Sequence, residues 1–104
     1  MGYRVYRHPE VEQDLLDIAD LLVEFAGIEV AERKLAEIER TIRNLSTTPH
    51  IGSVRDDISP GLRAIPTARK GVVTFIVDDD EQAVFVVGIG YAGADWIART
   101  LARR

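Results

Sequence analysis

The spacing of apolar and polar residues along this chain changes several times, and each change marks an element. Tyr3-Arg4-Val5-Tyr6 alternates in the strand manner with β-prone residues. Beyond it the repeat lengthens, and Val11, Leu15, Ile18, Ala19, Leu22 and Ala26 fall on one helical face. His8-Pro9 separates the two patterns. Proline suits a first helical position, where its missing N–H would be unpaired in any case. Glu10, Glu12 and Asp14 follow in the first turns, where the helix dipole favours acids. Gly27 predicts the stop, because glycine takes the left-handed cap conformation without steric penalty. A second helix is predicted from Ile28 to Leu45. Its residues Ala31, Leu35, Ile38, Ile42 and Leu45 form a narrow seam for packing on another helix. A single glycine between the two helices predicts a tight antiparallel hairpin within the chain rather than a coiled-coil dimer.

Residues 50–61 read as an irregular loop, with Gly52, Asp56-Asp57 and Ser59-Pro60-Gly61. Leu62-Arg63-Ala64-Ile65 is a short strand stopped by Pro66. The runs Val72–Val77 and Ala83–Tyr91 are nearly all apolar, as in strands covered on both faces, and the acidic turn Asp78-Asp79-Asp80-Glu81-Gln82 joins them. Residues 95–104 form a short helix, with Trp96, Ile97 and Leu101 facing inward and basic residues late. The expectation is one α+β domain over residues 1–104. It has an N-terminal strand, an antiparallel two-helix hairpin, a three-stranded antiparallel meander and a C-terminal helix. The first strand is expected to join the sheet, since alone it would leave its backbone unpaired.

Composition narrows the chemistry. The chain has 104 residues and no cysteine, so disulfides, thiolate metal sites and cysteine nucleophiles are excluded. No apolar run approaches a membrane span, and the N-terminus has no apolar leader core, so a soluble cytoplasmic protein without membrane contact is expected. Thirteen Lys and Arg against 17 Asp and Glu give a net charge of −4, which argues against strong direct nucleic-acid binding. The charge is uneven: most acids lie between Glu10 and Glu39, whereas Arg63, Arg69, Lys70, Arg99, Arg103 and Arg104 lie in the second half.

Gly88-Ile89-Gly90-Tyr91-Ala92-Gly93 fits the dinucleotide fingerprint, but the chain ends too soon for the second parallel strand that this motif requires. Gly88 and Gly90 read instead as a bulge or a close backbone approach, and Gly93 as the opening of the final turn. Asp78-Asp79-Asp80 reads as a solvated turn rather than a cation loop. His8 and His50 have no metal-spaced partners, and the serines lie in turn contexts without an elbow motif. No metal, cofactor or catalytic residue is expected. Arg63, Arg69, Lys70 and Tyr91 form a cationic and phenolic set that could grip phosphates, or simply protect a sheet edge.

The sequence resembles the RelE/ParE superfamily of bacterial type II toxin–antitoxin toxins across nearly its whole length. The likeness is carried by the early strand, His8-Pro9, Asp14-Leu15-Leu16-Asp17-Ile18 and Leu45…Pro49…Gly52. It continues through Pro60-Gly61-Leu62-Arg63, the Val72–Val77 strand with its acidic turn, and Val86-Val87-Gly88-Ile89-Gly90-Tyr91-Ala92-Gly93-Ala94-Asp95-Trp96. The RelE branch cuts messenger RNA on the ribosome with strand-borne basic residues. The positions here that match them are Arg63, Ile65 and Val72, with Tyr91-Ala92-Gly93 where a late arginine would fall, so only Arg63 is basic. The Pro-Gly-Leu-Arg entry and the Gly-Tyr-Ala-Gly-Ala-Asp-Trp exit are more similar to the ParE branch, whose members poison DNA gyrase by binding. Such toxins are often basic, and this chain departs from them in being acidic.

The resemblance implies a gyrase-binding toxin that is not an enzyme, in a hetero-oligomer with a cognate antitoxin. Target contacts are expected at Arg63, Arg69, Lys70, Tyr91 and Trp96. Antitoxin contacts are expected beside the hairpin at Leu15, Ile18, Leu22, Leu35 and Ile38. The alternatives are a RelE-like ribonuclease using Arg63, Arg69, Lys70 and Tyr91, and a non-toxic binding module of a repressor complex.

Overall fold

The computed structural model describes residues 2–93 and 95–103. Met1, and the Ala94 and Arg104 that figure in the sequence readings, lie outside the described residues. The elements follow the order β1 (Arg4–Arg7), α1 (Val11–Ala26), α2 (Ile28–Asn44), β2 (Ser53–Val54), β3 (Leu62–Thr67), β4 (Gly71–Asp78), β5 (Ala83–Tyr91) and α3 (Trp96–Arg103). The class and order agree with the sequence expectation, but the sheet is larger and mixed. It has five strands in the order β1-β5-β4-β3-β2. β1 runs parallel to β5, pairing Val5 with Val84; the helical hairpin carries the chain from β1 across the sheet to β2 and β3, and β5 comes back beside β1 through β4. The loop read at 50–61 contributes β2, which pairs Ser53 with Ala64 on the outer side of β3. Pro66 does not end β3, which continues to Thr67. β2 reaches only Arg63 and Ala64, so a proline beyond them sits where one side of the strand is unpaired and a missing N–H costs little.

The hairpin packs on one face of the sheet. Val11, Leu15, Ile18 and Leu22 of α1 and Ala31, Ile38 and Ile42 of α2 share a core with Val73, Phe75, Val84, Val86 and Ile89. Gly27 joins the helices at φ +91° and ψ 167°, a region essentially reserved for glycine. This is not the left-handed cap that the sequence suggests, although the reason for glycine is the same. Arg7 ties β1 to α2 through two hydrogen bonds to Glu39, of 3.0 and 2.6 Å. The guanidinium holds the Glu39 carboxyl below its ordinary value of 4.5. A depressed folded-state value gives stability that is full above the unfolded value and fades as pH falls through the folded one. Both side chains are about a third exposed, so the effect is small, below about 1 kcal/mol. Urea melts of wild type and Glu39→Gln should therefore differ by that amount near neutrality and converge below about pH 3.

β1 ends at Arg7, opposite Val86, so among the described residues the edge of β5 away from β4 has no strand beside it from Val87 onward. Side chains occupy that edge instead. Asp14 accepts the Ile89 N–H at 3.0 Å, Arg103 donates to the Val87 carbonyl at 3.1 Å, and Arg99 reaches the Ile89 carbonyl at 3.4 Å. Both arginines also bind the Asp14 carboxylate, Arg103 through bonds of 2.6 and 2.8 Å and Arg99 at 3.1 Å. With this cluster α3 departs from its expected orientation at Ile97 and Leu101, though not at Trp96. Thr100 is buried and Arg103 nearly so, whereas Ile97 and Leu101 are exposed. Trp96 is half-buried. The two glycines of β5 let α3 approach. A Cβ at Gly90 would lie 2.5 Å from the Trp96 Cβ, and one at Gly88 would lie 2.7 Å from Arg103 Nη1. A register shift between Thr74 and Phe75 marks the bulge in β4–β5, as the glycines predict.

Candidate functional site

Between the hairpin tip and the β3–β4 turn lies an open groove of about 550 Å³, formed by Leu21, Leu22, Phe25, Ala26, Val30, Lys34, Arg69, Lys70, Tyr91 and Ala92. Its wall is apolar because α1 carries more apolar residues than its core stripe uses. Leu21 and Phe25 lie on one flank of that stripe, and Phe25 is 76% exposed. Tyr91 closes the floor from the end of β5, buried, with its hydroxyl donating to the Ala68 carbonyl at 3.4 Å. Lys34 arrives from α2, and Arg69 and Lys70 from the turn. No ion pair involves these three cations among the described residues, whereas Arg7, Arg55, Arg99 and Arg103 are each bridged to an acid.

The backbone that presents the cations is held in unusual conformations. Ala68, Arg69 and Ala92 have φ of 50°, 67° and 54°, three of the four described non-glycine residues with positive φ. Each costs about 1–2 kcal/mol for an L-residue. The turn is locked by Lys70 N–H donating to the Ala68 carbonyl at 2.8 Å and Ala92 N–H to the Lys70 carbonyl at 3.0 Å. Left-handed residues gathered at one rim are a reason to look for function there.

Of the expected target contacts, the structure brings together Arg69, Lys70 and Tyr91 and separates the other two. Arg63 is committed to its own loop, donating to the carbonyls of His50 at 2.6 Å and Ile51 at 3.3 Å. Trp96 lies against Gly90, whose neighbour Tyr91 points to the opposite sheet face, and carries the Arg55 guanidinium 5.5 Å from its ring centroid. Of the expected antitoxin contacts, Leu15, Ile18, Leu22 and Ile38 are core residues that face the sheet, and Leu35 packs half-buried against them. The hairpin seam is consumed by the fold, so it offers no open groove. Only Leu22 also reaches the groove lining. Sequence reasoning missed Leu21, Phe25, Val30 and Lys34. The available signal was the surplus of apolar residues on α1 outside its one buried face.

A second polar cluster joins distant segments. Asp79 Oδ1 accepts the Tyr3 hydroxyl at 2.8 Å and meets His50 Nε2 at 2.8 Å. The Tyr3 bond, assisted by His50, holds the Asp79 carboxyl low, and the same carboxylate raises the Tyr3 phenol. This pins the N-terminus, the α2–β2 loop and the β4–β5 turn together. Among the described residues, no group of three or more His, Asp or Glu side chains is arranged to hold a metal. None of the described helices is long and apolar enough to cross a membrane.

The sequence profile of the family described as "ParE toxin of type II toxin-antitoxin system, parDE" matches residues 5–96. The chain belongs to the ParE toxin family. No curated protein matches it in sequence. Solved structures resemble the toxin closely in fold. A chain of the chromosomal ParDE toxin–antitoxin system from P. aeruginosa superposes with a TM-score of 0.74 at 21% identity, over 88% of this chain and 97% of that one. A mutant of the E. coli toxin RelE in its free state gives 0.65 at 18% identity, over 100% and 98%. A chain of the toxin–antitoxin complex RelBE2 from Mycobacterium tuberculosis gives 0.64 at 16% identity, over 88% and 100%. At such identities the likeness is one of fold. In the ParE toxin the match spans the turn that carries Arg69 and Lys70, and it ends at the first residue of α3.

Proposed function

We propose that this ParE toxin acts in the cytoplasm by binding DNA gyrase, without turnover, and that a cognate antitoxin protein holds it inactive. The observation that supports this reading most is the groove: three cations with no ion pair among the described residues, around an exposed apolar wall, on a rim held in left-handed conformations. Exposed apolar surface ringed by polar groups is the mark of a protein contact. Arg69, Lys70 and Tyr91 are the target contacts in this reading. Arg63 and Trp96 contribute by holding the loop and α3 in place. A RelE-like ribonuclease receives less support, since Ile65 and Val72 are apolar where the resemblance places cations and Arg63 is engaged with carbonyls.

The test is DNA supercoiling by purified gyrase with the toxin titrated in. Inhibition should follow toxin stoichiometry and should weaken at least about tenfold in the Arg69→Ala/Lys70→Ala variant, as expected for interface charge contacts. Undisturbed supercoiling at an excess of folded toxin would refute the target. Position-specific cleavage of message, lost in Arg63→Ala, would instead establish the ribonuclease.

A further inference from the structure

Helix α3 is inside out. Trp96, Thr100 and Arg103 lie against the sheet, at Gly90, Thr74 and Gly88. Its outer side is left to Ile97, Ala98, Leu101 and Ala102, all exposed and none charged. Arg99 turns toward the Ile89 carbonyl. Ile97 and Leu101, each two residues from Arg99, fall roughly opposite it on the helix, so they face back along β5 toward Phe85.

The sheet there is only partly covered. Val5 and Val84 point into the hairpin core, so their neighbours Tyr6 and Phe85 stand on the other face. The two rings stack with centroids 5.4 Å apart and planes at 17°. Ile76 of β4 continues the row. Tyr6, Ile76, Phe85 and Arg103 border one open cavity of about 380 Å³, so the aromatic floor and the α3 wall form a notch. Tyr6, Phe85, Ile97 and Leu101 are each 39–50% exposed. The ParE family match ends at Trp96, so the outer side of α3 lies outside it.

We infer that this face binds a second copy of the toxin, with the α3 of each chain seated in the notch of the other. Helix and notch adjoin on one chain, so each copy offers both halves of a two-fold contact. Charge agrees. The outer side of α3 carries none, and the row beside the notch carries one of each sign, Arg4 and Asp78 on either side of Ala83. Such a surface selects neither an acidic nor a basic partner. A nucleic-acid strand stacked on the rings would find Arg7 and Arg103 already paired with Glu39 and Asp14. Two chains of net charge −4 can meet here because most of their acids lie on the hairpin, across the sheet from the contact. Half-exposed aromatic rings leave about 100 Å² each, so with the aliphatic side chains the patch offers about 400 Å² per copy. That is about half of a standard interface of about 800 Å² per partner, close to the apolar share of a reversible contact. The groove of Lys34, Arg69 and Lys70 lies on the hairpin side and stays open in this dimer.

Sedimentation velocity of the purified full-length toxin, from about 1 µM to about 1 mM, reads the assembly directly. The species should pass from one chain to two, with a Kd in the micromolar range. Leu101→Glu sets like charges against each other and Phe85→Ser removes the floor of the notch. Each should raise Kd at least about tenfold, as loss of a central apolar anchor does. Leu101→Lys alone should associate as weakly as Leu101→Glu, and an equal mixture of the two should recover association, because opposite charges then meet across the two-fold. Circular dichroism establishes that the variants are folded. A wild-type chain that stays single at about 1 mM leaves the face to another partner and overturns the inference. So does a dimer that these substitutions leave intact, a mixture no tighter than its components, or growth beyond two chains, which a closed two-fold contact excludes.

Discussion

Asp14→Ala is expected to destabilise the toxin by about 3–5 kcal/mol, the range for breaking a buried ion pair from one side. The carboxylate side chain is 2% exposed, and the Arg103 side chain facing it is 6% exposed. Its oxygens accept four bonds, from the Ile89 N–H, twice from Arg103 and once from Arg99. Alanine leaves a buried guanidinium opposed only by Glu10 at 3.5 Å, and it orphans an edge N–H of β5. Against a typical total of about 5–15 kcal/mol, this is a large share of the fold's stability. Asp14→Asn keeps an oxygen for Ile89 and should fall between alanine and wild type.

Replacing both partners distinguishes charge from shape. In Asp14→Leu/Arg103→Met no lone charge is buried, and the double variant should be more stable than the sum of the single losses predicts, by about 1–3 kcal/mol. Urea denaturation of the four proteins closes the cycle. A loss below about 1 kcal/mol for Asp14→Ala would mean that Arg103 swings into solvent and that the edge of β5 does not depend on this cluster. Hydrogen exchange at the Ile89 amide reports the same event locally, since its protection depends on the Asp14 acceptor.

The same cluster shows where sequence reasoning succeeds and where it stops. The hairpin was legible because the pattern in Val11, Leu15, Ile18, Leu22 and in Ala31, Ile38, Ile42 is local, and each helix buries the face its period marks. β4 and β5 were legible because the apolar runs flank one acidic turn, and the close approach at Gly88 and Gly90 was legible from the residue type. The orientation of α3 was not. Reading Ile97 and Leu101 as inward follows the usual rule that apolar faces bury, but Arg99 and Arg103 are drawn in by a carboxylate 85 and 89 positions earlier in the chain. The parallel pairing of β1 with β5 is equally nonlocal. At the groove, Arg69, Lys70 and Tyr91 stood out as residue types, whereas their meeting with Phe25 and Lys34 depends on how the hairpin tip overhangs the sheet.

Phe75→Ala should also cost about 3–5 kcal/mol, by a different mechanism. Phe75 has no exposed surface and comes first by size among the fully buried side chains. It pairs with Arg63 on β3 and Val86 on β5, next to the register shift, so its strand is held from both sides. That limits collapse around the lost ring, and a cavity that cannot collapse lies toward the upper end of the range. Phe75→Leu keeps most of the volume and should lose less than about 1.5 kcal/mol. The two large losses then separate on adding salt. Asp14→Ala removes a charge and Phe75→Ala does not, so only the first should depend on ionic strength, and weakly, because its pair is buried. The Phe75 variants leave every groove residue in place. Where they remain folded they should act on gyrase in the supercoiling assay as wild type does, and a weakened effect there would mean that the groove depends on the rigidity of the core beneath it.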